Sequence, residues 1–188
     1  MTVIELYDEL SHVSAARENR LMYSKMVLDD MSLFPKLIEI MFMVDDKKSS
    51  KATWIFEYVC NDYIYGLIPY LDLFTSNLKR VHLDSSVRPI ARVCEMIAKA
   101  YYSKQNKTMK NVLQNVHKER IIEACFDWLI SNQKVAVKAY SMDTLYLLGK
   151  EYNWVHPELK QILQQDYTHE SAGFKARAKH VLKKIKDA

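Results

Sequence analysis

Three glycines and four prolines in 188 residues constrain this chain more than any other property, because an average soluble protein carries about 12% of the two together. Antiparallel sheets need Gly, Asn or Pro at their turns, and phosphate-cradling loops need Gly where backbone approaches an anion. Neither is sustainable at this supply. Long helices remain. The chain is otherwise ordinary globular material, 49% apolar and 27% charged, and a chain of this size buries roughly 70% of its unfolded surface.

Apolar spacing points the same way. Ile90, Val93, Cys94, Ile97, Ala98 and Tyr101 recur at three- and four-residue steps, the mark of one buried helical face. Trp54, Ile55, Tyr58 and Val59 repeat the pattern, as do Ile121, Ile122, Cys125, Phe126 and Leu129. Strict two-residue alternation is not sustained, so the spacing predicts about nine or ten helices joined by short polar turns.

The helices themselves repeat. Pro-x-Leu occurs at Pro35/Leu37, Pro69/Leu71 and Pro157/Leu159, each opening an apolar helix. Sixteen to nineteen residues after each Pro, a second helix begins with a small residue and a base, at Lys51, Arg88 and Lys175. A further copy at Lys138 lacks the Pro. The four bases are 37, 50 and 37 residues apart, and the polar stretch Ser103 to Lys118 supplies the excess in the middle interval. Helix pairs at this period predict an α-solenoid, in which neighbouring pairs bury one another's apolar faces. The expected architecture is all-α, one domain over residues 1–188, with roughly four to five antiparallel helix pairs in an α-α superhelix. Within it, 2–30 would form an N-terminal helical cap, 32–170 the pairs with an insertion near 103–118, and 171–188 a basic capping helix.

The phrase Asp84-Ser-Ser-Val87-Arg88-Pro-Ile-Ala91-x-x-Cys94 resembles the second-helix pattern of HEAT repeats, and the looser copies extend that likeness over residues 32 to 187. His82 to Lys104 and Lys118 to Lys160, above all HKERIIEACFDWLI and KAYSMDTLYLLGKEYNWVHPELKQIL, resemble a family of short bacterial HEAT-like proteins that travel under the name adenylosuccinate lyase. That likeness implies a bacterial protein and, by name, a lyase. The lyase signature Ser-Ser-x-Met-Pro-x-Lys-x-Asn does not occur, since Ser49-Ser50-Lys51 and Ser85-Ser86-Val87 lack its continuation.

The formal charge of +4 is unevenly spread: residues 1–100 carry a net −2 and residues 101–188 a net +6, concentrated in Lys104 to Arg120 and Lys175 to Lys186. Neither stretch is a long basic arm. Cys60, Cys94 and Cys125 lie in apolar runs without metal-ligand spacing and read as buried thiols in a reducing compartment. Glu5, Asp8 and Glu9 stand where a signal peptide needs bases and apolar residues, and no window approaches a membrane span. The expected setting is cytoplasmic, away from membranes.

No constellation of residues predicts catalysis. The six histidines show neither HExxH nor an i, i+4 pair, so no metal is expected. Tyr146-x-x-x-Lys150 has the spacing of short-chain dehydrogenases, but the Gly-rich fingerprint that must accompany it is absent, and no cofactor is expected. The equivalent bases deserve more weight. On the concave side of a HEAT-like array, Lys51, Arg88, Lys138 and Lys175, extended by Arg92 and Arg177, form a candidate ladder for an acidic peptide or a phosphate backbone. The structural alternative has the turn acids Asp45, Asp84 and Glu170 pairing with these bases to set repeat stacking. Trp154, in a turn, is a candidate aromatic contact or a plug between repeats. The expected function is a non-enzymatic scaffold binding a protein partner on its concave surface. The alternatives are nucleic-acid binding, by fold analogy with HEAT-like alkylpurine DNA glycosylases, and the lyase activity that the family name implies.

Overall fold

The computed structural model describes residues 1–187. Eleven α-helices follow one another among them: α1 (Val3–Glu9), α2 (Arg17–Asp29), α3 (Phe34–Met41), α4 (Lys47–Asp62), α5 (Leu71–Ser76), α6 (Asp84–Tyr101), α7 (Thr108–Val112), α8 (Asn115–Ile130), α9 (Val135–Leu148), α10 (Val155–Asp166) and α11 (Ala172–Lys186). No strand occurs among the described residues. The fold is an all-α solenoid of helix pairs. An inner row runs α2, α4, α6, α9, α11, each helix packed on the next, and an outer row runs α1, α3, α5, α8, α10. Inner helices pack on one another more closely than outer ones do, the asymmetry expected of the concave row in a curved solenoid.

Each pair closes on its neighbour through apolar residues at helical spacing. Phe34 of α3, Phe56 of α4 and Phe74 of α5 are fully buried and form a continuous stack, with ring centroids 5.5 and 5.6 Å apart. Burying each ring contributes about 1.5–3 kcal/mol. Along α6, Val87, Ile90, Ala91, Cys94, Ile97, Ala98 and Tyr101 are all buried. The three thiols are buried as well, and burial pushes them up, Cys125 to about 12.

The prolines behave in three ways. Pro35 lies in the first turn of α3 and Pro157 in the first turn of α10, where a missing N–H costs nothing. Pro69 lies instead in a 3-10 helix, Ile64–Tyr70, so the outer member of that pair is broken and α5 is short. Pro89 stands inside α6, which starts at Asp84. Lacking an N–H, Pro89 cannot bond the carbonyl four residues back, that of Ser85. The indole Nε1–H of Trp54, on α4, donates to that oxygen at 2.9 Å. Ser50 of α4 lies 2.8 Å from the Ser86 hydroxyl and accepts from that of Ser85 at 2.7 Å. A proline thus turns a lost intrahelical bond into a bond between adjacent repeats.

Close approach decides one glycine. Gly149 ends α9, and a Cβ there would meet His156 Cδ2 at 2.4 Å. The expected insertion near 103–118 holds the short α7 and the start of α8.

Trp54→Phe should cost about 0.5–1.5 kcal/mol in chemical denaturation. In a Pro89→Ala background, where residue 89 supplies its own donor to Ser85, the same substitution should cost measurably less. Equal costs in both backgrounds would refute the carbonyl hand-over.

Candidate functional site

The four repeat-equivalent bases fall at matching places, Lys51 and Arg88 fifth in α4 and α6, Lys138 and Lys175 fourth in α9 and α11. Their side chains are engaged within the molecule. Arg88 grips Glu57 of α4 with both fork nitrogens, at 3.1 and 2.7 Å. Lys138 is buried and paired with Glu170. Lys51 donates to the Ser11 carbonyl at 2.9 Å and Lys175 to the Thr168 carbonyl at 3.2 Å. Of the additional bases, Arg92 pairs with Glu95, which Lys99 also reaches at 2.6 Å, and Arg177 pairs with Asp143 of α9 at 2.6 Å.

The acids that do this work are mostly not the turn acids expected from the sequence. Glu170 pairs as anticipated, whereas Asp45 faces His82 at 3.5 Å and Asp84 faces Lys134 at 3.9 Å. The principal partners are Glu57, Glu95 and Asp143, which lie 5 to 7 residues beyond the repeat base of α4, α6 and α9 and are buried. Sequence reasoning passed over them because a carboxylate in an apolar helix reads as solvent-facing. The readable signal was an acid one to two turns after each repeat base. Burial pushes the Asp143 carboxyl up, the Arg177 guanidinium opposes it, Glu95 adds to the rise, and the net direction is upward.

At the N-terminal end of the concave face this balance fails. Arg17 and Arg20 of α2, Arg88 and Arg92 of α6, and Glu57, Tyr58, Asn61 and Met96 line an open cleft of about 530 Å³. The start of α2 lies beside the last turns of α4, which brings its arginines to those of α6. Arg20 stacks over the Tyr58 ring, 5.1 Å from its centroid. Among the described residues, no carboxylate lies within ion-pair distance of Arg17 or Arg20, and the buried Arg20 Nε has no hydrogen-bond partner. The sequence-level ladder included Arg88 and Arg92 but not Arg17 and Arg20, because α2 carries no copy of the repeat phrase.

A family model for a HEAT repeat domain matches residues 6–185. The chain belongs to the HEAT repeat family. Comparison with curated proteins and with solved structures gave no match, so no relative supports the adenylosuccinate lyase name. Within the HEAT frame the inner row is the set of B helices and the outer row the A helices. Trp154 lies on the A side, 54% exposed at the start of α10 and stacked on Phe126 of α8 at 5.6 Å. It joins two adjacent A helices and is remote in the fold from the B-helix bases. Lys150 sits over the Tyr146 ring at 5.1 Å, a cation–π contact. No cluster of three or more metal-ligating side chains occurs among the described residues, and none of their helices is long and apolar enough to cross a membrane.

A second buried cation lies where the extra segment rejoins the array. Lys118 of α8 is buried and donates to Glu151 at 2.7 Å and to the Tyr101 hydroxyl at 3.2 Å. Burial works to raise the Glu151 carboxyl, but bonds from Lys118 and Tyr101 outweigh it and hold that carboxyl below its ordinary value. The same bonds outweigh burial at Lys118 and hold its ammonium above its ordinary value.

Three stability measurements check this picture. Glu95→Gln should lower stability by about 1–3 kcal/mol, because two cations lose the negative charge they share and one of them faces an amide NH2 in place of an acceptor oxygen. Asp84→Asn, at an exposed pair, should stay within about 0.5 kcal/mol. Glu151 should stabilise the protein above its ordinary pKa of 4.5 and lose that contribution as pH falls through its lower folded value. The gap between wild type and Glu151→Gln, measured by thermal melting, should therefore narrow on going from neutral pH to below 4.

Proposed function

We propose that the protein is a non-enzymatic interaction scaffold whose concave B-helix face receives an acidic segment of a protein partner. One observation carries this reading: along a face whose repeat bases are each engaged by an internal carboxylate or carbonyl, Arg17 and Arg20 remain without acid partners and converge with Arg88 and Arg92 on one cleft. Guanidinium forks match carboxylate geometry and recruit acidic partners by long-range attraction. Ladder positions Lys51, Lys138, Lys175 and Arg177 act mainly through stacking in this proposal, since each already holds a carbonyl or carboxylate. The same internal pairing argues against a duplex tracking the face, because phosphate contacts need free bases along its length. No residue set in the chain supports the lyase reaction.

A short Glu/Asp-rich peptide and duplex DNA, each titrated by fluorescence anisotropy across a salt series, test the reading. Peptide binding should weaken about tenfold or more in Arg17→Glu/Arg20→Glu. Absence of peptide binding, or indifference to the charge reversal, would overturn the proposal. Tighter binding of the duplex with a steep loss on adding salt would overturn it in favour of nucleic acid.

A further inference from the structure

We infer that the cleft between α2, α4 and α6 is a phosphate-dianion site, filled either by a phosphorylated side chain of the partner segment or by free phosphate. The inference rests on the concave face as the binding face and adds the chemistry of its anchor. Four guanidiniums line the cleft; Glu57 and Glu95 offset Arg88 and Arg92, which leaves the two positive charges of Arg17 and Arg20 before any ligand enters. A carboxylate side chain brings one negative charge; a phosphate monoester brings about −1.5 to −2 and three strong acceptor oxygens. The dianion matches the lining better, and Arg forks suit it in geometry as well as charge.

The arginines are placed as ligand groups rather than as structural ones. Arg17 and Arg20 are three residues apart on one helix, a like-charge spacing that repels. Each ladder base, inside the cleft or beyond it, has an internal acceptor: Arg88, Arg92, Lys138 and Arg177 hold carboxylates, and Lys51 and Lys175 hold carbonyls. Arg20 has none: its Nε is buried without a hydrogen-bond partner, and its guanidinium carbon lies over the Tyr58 ring, 5.1 Å from the centroid. The ring contact restrains the guanidinium before any ligand arrives, leaving its terminal N–H groups to donate and lowering the ordering cost of binding. Glu57, the carboxylate in the lining, is already occupied by Arg88. That bidentate contact uses two of the guanidinium N–H donors and leaves the others for a ligand. Arg92 is steadied in turn by the Tyr140 ring, 5.2 Å from its guanidinium carbon.

The experiment is calorimetric titration of the full chain with three forms of one short acidic peptide, carrying phosphoserine, glutamate or serine at its centre, and separately with inorganic phosphate. The phosphoserine form should bind about tenfold or more tightly than the glutamate form. Arg20→Ala should erase that preference, Arg20→Lys should reduce it by keeping charge without the fork, and Lys160→Ala, on the far side of the array, should leave it intact. Inorganic phosphate that binds in an Arg20-dependent manner while the peptide forms do not differ identifies free phosphate as the source and upholds the site. If phosphoserine and glutamate peptides bind alike and inorganic phosphate does not bind, the phosphate inference falls and the acidic-segment reading stands. A phosphate preference that survives in Arg17→Ala/Arg20→Ala places the anion elsewhere and also overturns the inference. Failure of every probe to bind removes both.

Discussion

A pair of helices this short has one apolar face too many: packed on each other, they still expose a stripe that only the next pair can cover. That unmet burial organises the whole molecule. It explains why Phe34, Phe56 and Phe74 run as one stack through α3, α4 and α5 rather than forming separate local cores. It also explains why the inner helices pack in an unbroken row from α2 to α11. Because each interface is completed by a neighbour, polar side chains that cross from one repeat to the next end up in or near the core, where each must find a partner.

The polar content of the B-helix row follows from that requirement. Glu57, Glu95 and Asp143 are buried in the seams between inner helices, and an unpaired carboxylate there would be costly. Arg88, Arg92 and Arg177 meet the need. Pro89 adds a neutral version of the same logic, since the carbonyl it leaves unbonded on α6 is taken up by Trp54 of α4. The row therefore spends most of its basic side chains on stacking. The first inner helix is different: α2 brings two arginines and no carboxylate within reach, so the positive charge that is neutralised further along accumulates at one end. The ladder and the cleft thus share Arg88 and Arg92, and what sets the cleft apart is that Arg17 and Arg20 come without an acid.

Much of this was readable from the chain. The scarcity of glycine and proline and the 37-, 50- and 37-residue steps between Lys51, Arg88, Lys138 and Lys175 lead directly to helix pairs in an array, and those bases do take matching places in α4, α6, α9 and α11. Two details went unread for physical reasons. Periodicity assigns a side chain to a face but not to a partner, so Asp45 and Asp84 looked as suitable for the repeat bases as Glu57 and Glu95 did. Arg17 and Arg20 lie outside the repeat phrase, and their meeting with Arg88 and Arg92 depends on how α2 crosses α4.

The sequence by itself determined the helical class, the pairing of helices and the period of the array, because these follow from local backbone preference and from apolar spacing within one helix. Tertiary structure alone decided which acid meets which base and which bases remain without one. Apart from the local Arg92–Glu95–Lys99 group on α6, those outcomes depend on distances between residues more than thirty positions apart, as between Arg88 and Glu57 or Arg177 and Asp143. Ion pairing falls off steeply once carboxylate and guanidinium no longer touch and water lies between them. One helix laid at a different angle would exchange a neutral seam for an open cleft, and no local pattern in the chain encodes that angle.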